Sequence, residues 1–204
     1  MSSSTTTPDT TPLAIAICGE SGAGKTTTTG LIQKLGFNPC SVSALLREEA
    51  ESAHDQPTRA QVQEYGRQRQ EAEGADYFAR RLLRDIDPFH QPRTVIDGLR
   101  NLSELSTLRQ AAREAGARFV LLAMVTPDAT RFERVRSRGR AGDPDTLEEF
   151  QAADTRAAGI SEGDRAFQQN AALIDHADIR ITNDQGMDAL QSRIQQLVNE
   201  LVLL

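Results

Sequence analysis

The 204-residue sequence has no tryptophan, two cysteines, three histidines and only two lysines, Lys25 and Lys34. Each scarcity removes a class of explanation. Neither Cys18 nor Cys40 has a second cysteine or a histidine at metal-ligand spacing, so no thiolate metal site is encoded, and buried free thiols in a reducing cytoplasm are the expectation. His54, His90 and His176 lie far apart with no pairing motif and read as structural or surface residues. No apolar run approaches the roughly 18 residues of a membrane span, so no membrane partner is expected. Positive charge is short too: the net charge is -6, which opposes a polynucleotide partner because a duplex binder needs a clustered basic face. With two lysines among 23 basic residues the other 21 are arginines, so arginine as a type carries little information here.

What is present suits one domain. The opening MSSSTTTPDTTP, residues 1–12, is read as a disordered tail and 13–204 as a single folded unit. LAIAIC (13–18) is a continuous apolar run without alternation, the pattern of a strand buried on both faces of a parallel sheet. PCSVS (39–43), TVID (94–97), RFVLLAMV (118–125) and ADIRIT (177–182) are further strand candidates. Helical patterns separate them: 25–35 closed by Gly36, then 43–53, 58–71, 74–86, 102–115, 127–138 and 187–202. Strands alternating with helices predict a three-layer α/β/α fold with right-handed crossovers. Between Arg136 and Arg165 the text is dense in charge and glycine, with amphipathic spacing only around Leu147 and Phe150, and reads as a mobile flap.

Directly after the first strand stands GESGAGKT, Gly19 to Thr26, the full P-loop pattern. Its glycines let backbone N–H groups turn inward on an anion, and the following helix adds the positive end of its dipole. Gly19, Ser21, Gly22, Ala23, Gly24, Lys25, Thr26 and Thr27 are therefore the candidate ATP-binding residues, with Lys25 reaching the terminal phosphates and Thr26 a ligand of Mg²⁺. The guanine-reading motif of common GTPases needs a downstream lysine, and none follows Lys34. Motor-like ATPases place a glutamate after the acidic end of a buried strand, whereas here Asp97 is followed by Gly98. Transfer of a phosphoryl group to a small molecule, with water excluded, suits these features best.

Other stretches carry a family resemblance. NPCSVSALLREEAE resembles the nucleoside monophosphate kinase segment reading S-T-G-D-L-L-R-x-E, and VIDGLRNLSELSTLR resembles that family's D-G-F-P-R strand end. RFERVRSRGRAGD resembles the start of its lid, and ADIRITNDQG its final strand and loop. The pattern is similar to nucleotide-kinase-related proteins and phage-type deoxynucleoside monophosphate kinases, with dephospho-coenzyme A kinase as a cousin. The resemblance implies a P-loop kinase fold on a parallel five-stranded sheet, with acceptor-binding helices over about 43–88 and an arginine-rich lid over about 136–165. It implies that Arg47 and Arg100 hold the acceptor's phosphate, that Asp97 orients the Mg²⁺ shell, and that Arg134, Arg138 and Arg156 clamp the transferring group. Ser43-Ala44 stands where the family has Gly-Asp, and Leu99 follows Gly98 with no Phe-Pro, which implies an altered acceptor pocket.

Alternatives stay open at this level. On a helix Arg131, Arg134 and Arg138 share one face, which serves equally as a solvated basic face. Arg67 and Gln68 either join the acceptor pocket or mark an exposed helix end, and the role of Asn183 is open. A phosphate acceptor needs no base while a hydroxyl acceptor does, and no acid precedes Glu48 in its segment, which favours a nucleoside monophosphate. The runners-up are a kinase with a hydroxyl acceptor and a nucleotide switch that transfers nothing. The expected assembly is a monomer or homodimer.

Overall fold

The computed structural model describes residues 11–140, 143–158 and 168–203. Its centre is β1 (Leu13–Gly19), buried at every position. The run explains the placement: seven residues with no outward-facing polar side chain can only sit inside a sheet covered on both sides. Around it a five-stranded parallel sheet runs in the order β2, β3, β1, β4, β5, from β2 (Asn38–Ser41), β3 (Arg93–Asp97), β4 (Arg118–Val125) and β5 (Ile179–Thr182). The register brings Ser41 opposite Asp97, Gly19 opposite Met124 and Val125 opposite Thr182, so the carboxyl ends of all five strands share one edge. Strand order reverses at β1, and a crevice outside the strand ends opens at such a point.

The two faces are filled differently. On one, the small side chains Ala14, Ala16 and Cys18 of β1 admit a cluster formed with Leu46, Phe78, Leu82, Leu108 and Leu173. These come from α2 (Val42–Ala53), α4 (Tyr77–Asp85), α5 (Leu102–Glu114) and α8 (Asn170–Asp175). On the other, Leu13, Ile15 and Ile17 meet Ile32 of α1 (Lys25–Lys34) and Leu190, Ile194 and Val198 of α9 (Met187–Leu203). Three further helices, α3 (Arg59–Glu73), α6 (Asp128–Arg138) and α7 (Leu147–Ala158), border the crevice.

The elements differ from expectation where side chains intervene. PCSVS stops being strand at Ser41, because its Oγ accepts from the Ala44 N–H at 3.1 Å and caps α2, drawing Val42 and Ser43 into the helix. ADIRIT becomes strand only at Ile179, since the Asp178 carboxylate instead accepts from the Leu121 N–H at 2.7 Å. The flap expected over 136–165 contains the helix α7, anchored by the buried Phe150 against Phe132; residues 141–142 and 159–165 of it lie outside the described residues. Among the described residues no helix is long and apolar enough to cross a membrane.

Candidate active site

The glycine loop joins β1 to α1. Unlike α2, α3 and α5, capped by Ser41, Thr58 and Asn101, α1 has no side-chain cap, so its first N–H groups stay open to a ligand. Gly24 precedes it with a φ of 99°, and a Cβ there would lie 2.3 Å from the Asn183 Nδ2 atom, so both conformation and space demand glycine. The loop is held from outside. The Ala23 carbonyl accepts from Asn183 Nδ2 at 2.9 Å and from the Thr126 hydroxyl at 3.3 Å, which settles Asn183 as a brace between the β5 end and the loop. Lys25 points back into the loop and donates to the carbonyls of Gly19 and Glu20 at 2.8 and 2.9 Å. Burial pulls its pKa down to about 8, and the cations Arg100 and Arg138 act in the same direction. An anion entering the loop reverses that shift by adding negative charge at the ammonium.

From the loop a cavity of about 820 Å³ extends across the strand ends. Its wall carries Arg47 from α2, Arg59 from α3, Arg100 from the β3–α5 turn, Arg134 and Arg138 from α6, and Arg140 just beyond. Against these six guanidinium groups and Lys25, Glu51 is the one carboxylate lining it among the described residues. Arg47 and Arg134 have no hydrogen bond or ion pair among the described residues, and Arg134 Nη1 is buried without a partner. Arg47 is exposed, but a buried unpaired nitrogen such as Arg134 Nη1 is costly unless an anion meets it, and a wall this rich in guanidinium suits negatively charged oxygens. Arg100 is half-buried; burial lowers its pKa, Glu104 opposes the shift, and Arg59 and Arg47 add to it.

Behind Arg100 lies Glu104, fully buried, accepting from the Arg100 backbone N–H at 2.7 Å and from Gln70 Nε2 at 3.1 Å. It ties the Arg100 turn to α3. Burial pushes its carboxyl up to about 7.

Asp97 stands apart from the arginines. It lines a second cleft of about 470 Å³ together with Cys40, Ser41 and Glu48, and Thr26 borders both spaces. Asp97 Oδ1 is buried with no hydrogen-bond partner. An orphaned carboxylate oxygen in a cleft that Thr26 also lines fits a hard divalent cation that takes its other ligands from phosphate and water. Among the described residues no group of three His, Cys, Asp or Glu stands together, so the protein alone supplies no full coordination cage.

Several expectations change in three dimensions. Arg156 is exposed on α7 and lies outside the cavity wall, where the same helix presents Ala157 instead. Ala23 is buried and contributes its carbonyl to the brace rather than a surface to the cavity. Arg67 and Gln68 bond Glu64, and Arg67 also Glu71, along an exposed helix face. Arg131, one face with Arg134 and Arg138 in sequence, is 1% exposed. It pairs with Asp154 of α7 at 2.6 Å, Asp128 at 2.9 Å and Glu20 at 3.3 Å, and donates to the Ser21 carbonyl at 3.1 Å. Arg131 thus pins the glycine loop to α6 and α7. Arg59 and Arg140 of the wall, and this hub, had no distinguishing signal among 21 arginines.

A glycine loop feeding an uncapped helix, on a parallel sheet with the order 2-3-1-4-5, defines a P-loop kinase-like protein. The chain belongs to the family described as an AAA domain, whose profile matches residues 18–151. A UPF0200 protein of Hyperthermus butylicus is 27% identical over 189 residues, covering 93% of this chain and 95% of that one. Shikimate kinase from Acinetobacter baumannii in complex with shikimate superposes with a TM-score of 0.55 at 14% identity, over 95% of this chain and 94% of its own. The Mycobacterium tuberculosis APS kinase in complex with AMPPNP and APS gives 0.50 at 17% identity, over 94% and 98%. These structural likenesses establish the fold.

Proposed function

We propose that the chain is an ATP- and Mg²⁺-dependent kinase that passes a phosphoryl group to a nucleoside or deoxynucleoside monophosphate. The observation that carries this reading is the cavity wall: six arginines and Lys25 against Glu51, continuous with the glycine loop. When ATP and an acceptor phosphate meet, negative charge gathers at the point of transfer, and positioned guanidinium groups offset it without reorganising. In this reading the loop amides and Lys25 hold the ATP phosphates, Arg134 and Arg138 face the transferring group, and Arg47, Arg59 and Arg100 orient the acceptor. The acceptor oxygen is already an anion, so no base is required. Thr26 and Asp97 would hold the Mg²⁺, which supplies charge neutralisation at the phosphates. Two buried free thiols, Cys18 and Cys40, favour a reducing, cytoplasmic setting.

A hydroxyl acceptor is the second reading, favoured by Glu51, a carboxylate on the wall one helical turn beyond Arg47. One experiment separates them. The purified chain is given ATP and Mg²⁺ with each ribo- and deoxyribonucleoside monophosphate, or with shikimate, APS or dephospho-coenzyme A, and ADP is measured above a no-acceptor control. Turnover with a monophosphate that survives Glu51→Gln supports the first reading; turnover with an alcohol that Glu51→Gln abolishes supports the second. ATP binding without turnover in any tube sinks both and leaves a nucleotide switch.

A further inference from the structure

Asp143 connects the two sides of the cavity. Its carboxylate receives Arg138 in a forked pair, Nε at 2.7 Å and Nη2 at 2.8 Å, and receives Arg59 Nη1 at 3.0 Å. The first partner ends α6 and also donates to the Ser21 hydroxyl of the glycine loop at 3.3 Å; the second opens α3, 84 residues away in sequence. Asp143 itself is fixed locally: its backbone N–H donates to the Arg140 carbonyl at 2.9 Å, and its carboxylate accepts from the Arg140 N–H at 3.2 Å. The side chain is 4% exposed, a buried anion among cations. Two guanidinium groups on opposite walls repel, and a fixed carboxylate between them offsets that repulsion. Arg138 holds the Asp143 carboxyl below its ordinary range, so the bridge stays charged at neutral pH.

We propose that Asp143 is a positioning residue: it sets Arg138, on the glycine-loop side, and Arg59, on the acceptor side, at the separation from which both address phosphate. The proposal rests on the kinase reading for its consequence, since the ligand it serves is a pair of phosphorylated molecules side by side. The bridge is a property of the chain itself and is testable apart from turnover.

The test compares Asp143→Asn, Asp143→Glu, Arg59→Gln and the Asp143→Asn/Arg59→Gln double variant. With the acceptor found above, Asp143→Asn raises acceptor KM by about tenfold and changes the AMPPNP dissociation constant by less than about threefold, and the double variant is no worse than the poorer single one. Asp143→Glu, which keeps the charge, recovers part of the loss. Tighter AMPPNP binding with faster turnover in Asp143→Asn would mean that the carboxylate competes with phosphate and would overturn the proposal, as would additive single effects. If no acceptor is turned over, amide hydrogen exchange decides: Asp143→Asn speeds exchange at both 59–63 and 134–138, and unchanged exchange at either end overturns the bridge.

Discussion

The two halves of the cavity are stabilised in opposite ways. The glycine loop is a contiguous stretch whose shape is fixed by neutral and ionic bonds from outside: Asn183 and Thr126 on the Ala23 carbonyl, Arg131 on the Ser21 carbonyl. The arginine wall is assembled from α2, α3, α6 and the β3–α5 turn, and among the described residues its Arg47 and Arg134 are unpaired. The loop is braced as folded; on the wall Arg59 and Arg138 share the Asp143 carboxylate, and in the kinase reading Arg47 and Arg134 gain their partners from an anion. Substitutions in the first should therefore split into those that remove chemistry and those that remove the scaffold, while substitutions of the unpaired Arg47 and Arg134 should change binding and leave stability alone.

The sharpest break of that contrast is Lys25→Met. Lys25 is the ammonium aimed into the loop, and its loss is expected to lower turnover on the order of 10³-fold, read as ADP release. Stability should fall by less than about 1 kcal/mol, because burial already disfavours the charge at this site. Arg131→Ala has the reverse signature. It strands Glu20, Asp128 and Asp154 near one another and frees the Ser21 carbonyl, which costs about 3–5 kcal/mol and lowers Tm by roughly 10 °C in a thermal melt. Next in size is Arg47→Ala on the arginine wall. With no partner to lose it should shift the denaturation midpoint by less than about 0.5 kcal/mol, while acceptor KM rises about 10–100-fold. A large stability loss for Arg47→Ala would end the distinction between the halves.

The same contrast explains what could be read in advance. The loop and the strands were legible because each depends on neighbours in sequence: glycines at fixed spacing, an unbroken apolar run from Leu13, a helix ended by Gly36. Arg47 and Arg100 were singled out through resemblance, and both line the cavity. Arg59 and Arg140 were not, because a wall joining α3 to the end of α6 exists only after folding. Arg131 was misgrouped for a related reason. Helical spacing puts it with Arg134 and Arg138, but α7 brings Asp154 and Phe150 over it and turns one end of that face into interior. The α7 helix was itself hidden, since Phe150 is its single fully buried side chain and a lone anchor makes no periodic pattern. The six-residue α8 is too short to leave one.

The smallest effect bears on how the arginine wall is held. Glu104 braces the Arg100 turn, and burial raises its carboxyl from 4.5 to about 7. An acid raised in the folded state binds its proton more tightly there than in the unfolded chain, so folding takes up a proton between those two values. The stability this confers is fully present below 4.5, declines as pH rises toward about 7, and is gone above it. Glu104→Gln removes the titration, although its amide NH2 must then face either the Arg100 N–H or Gln70 Nε2, both of which donate to Glu104. Urea midpoints measured from pH 5 to pH 8.5 should fall less steeply for Glu104→Gln than for the parent, the gap between the two curves changing most below about pH 7. Lys25 responds in another range: its proton leaves near 8, and phosphate in the loop holds it on. An acceptor-dependent pH profile that shifts in Glu104→Gln while the AMPPNP-binding profile does not would separate the two halves by titration alone. Parallel shifts of both profiles would show instead that the wall and the loop respond as one unit.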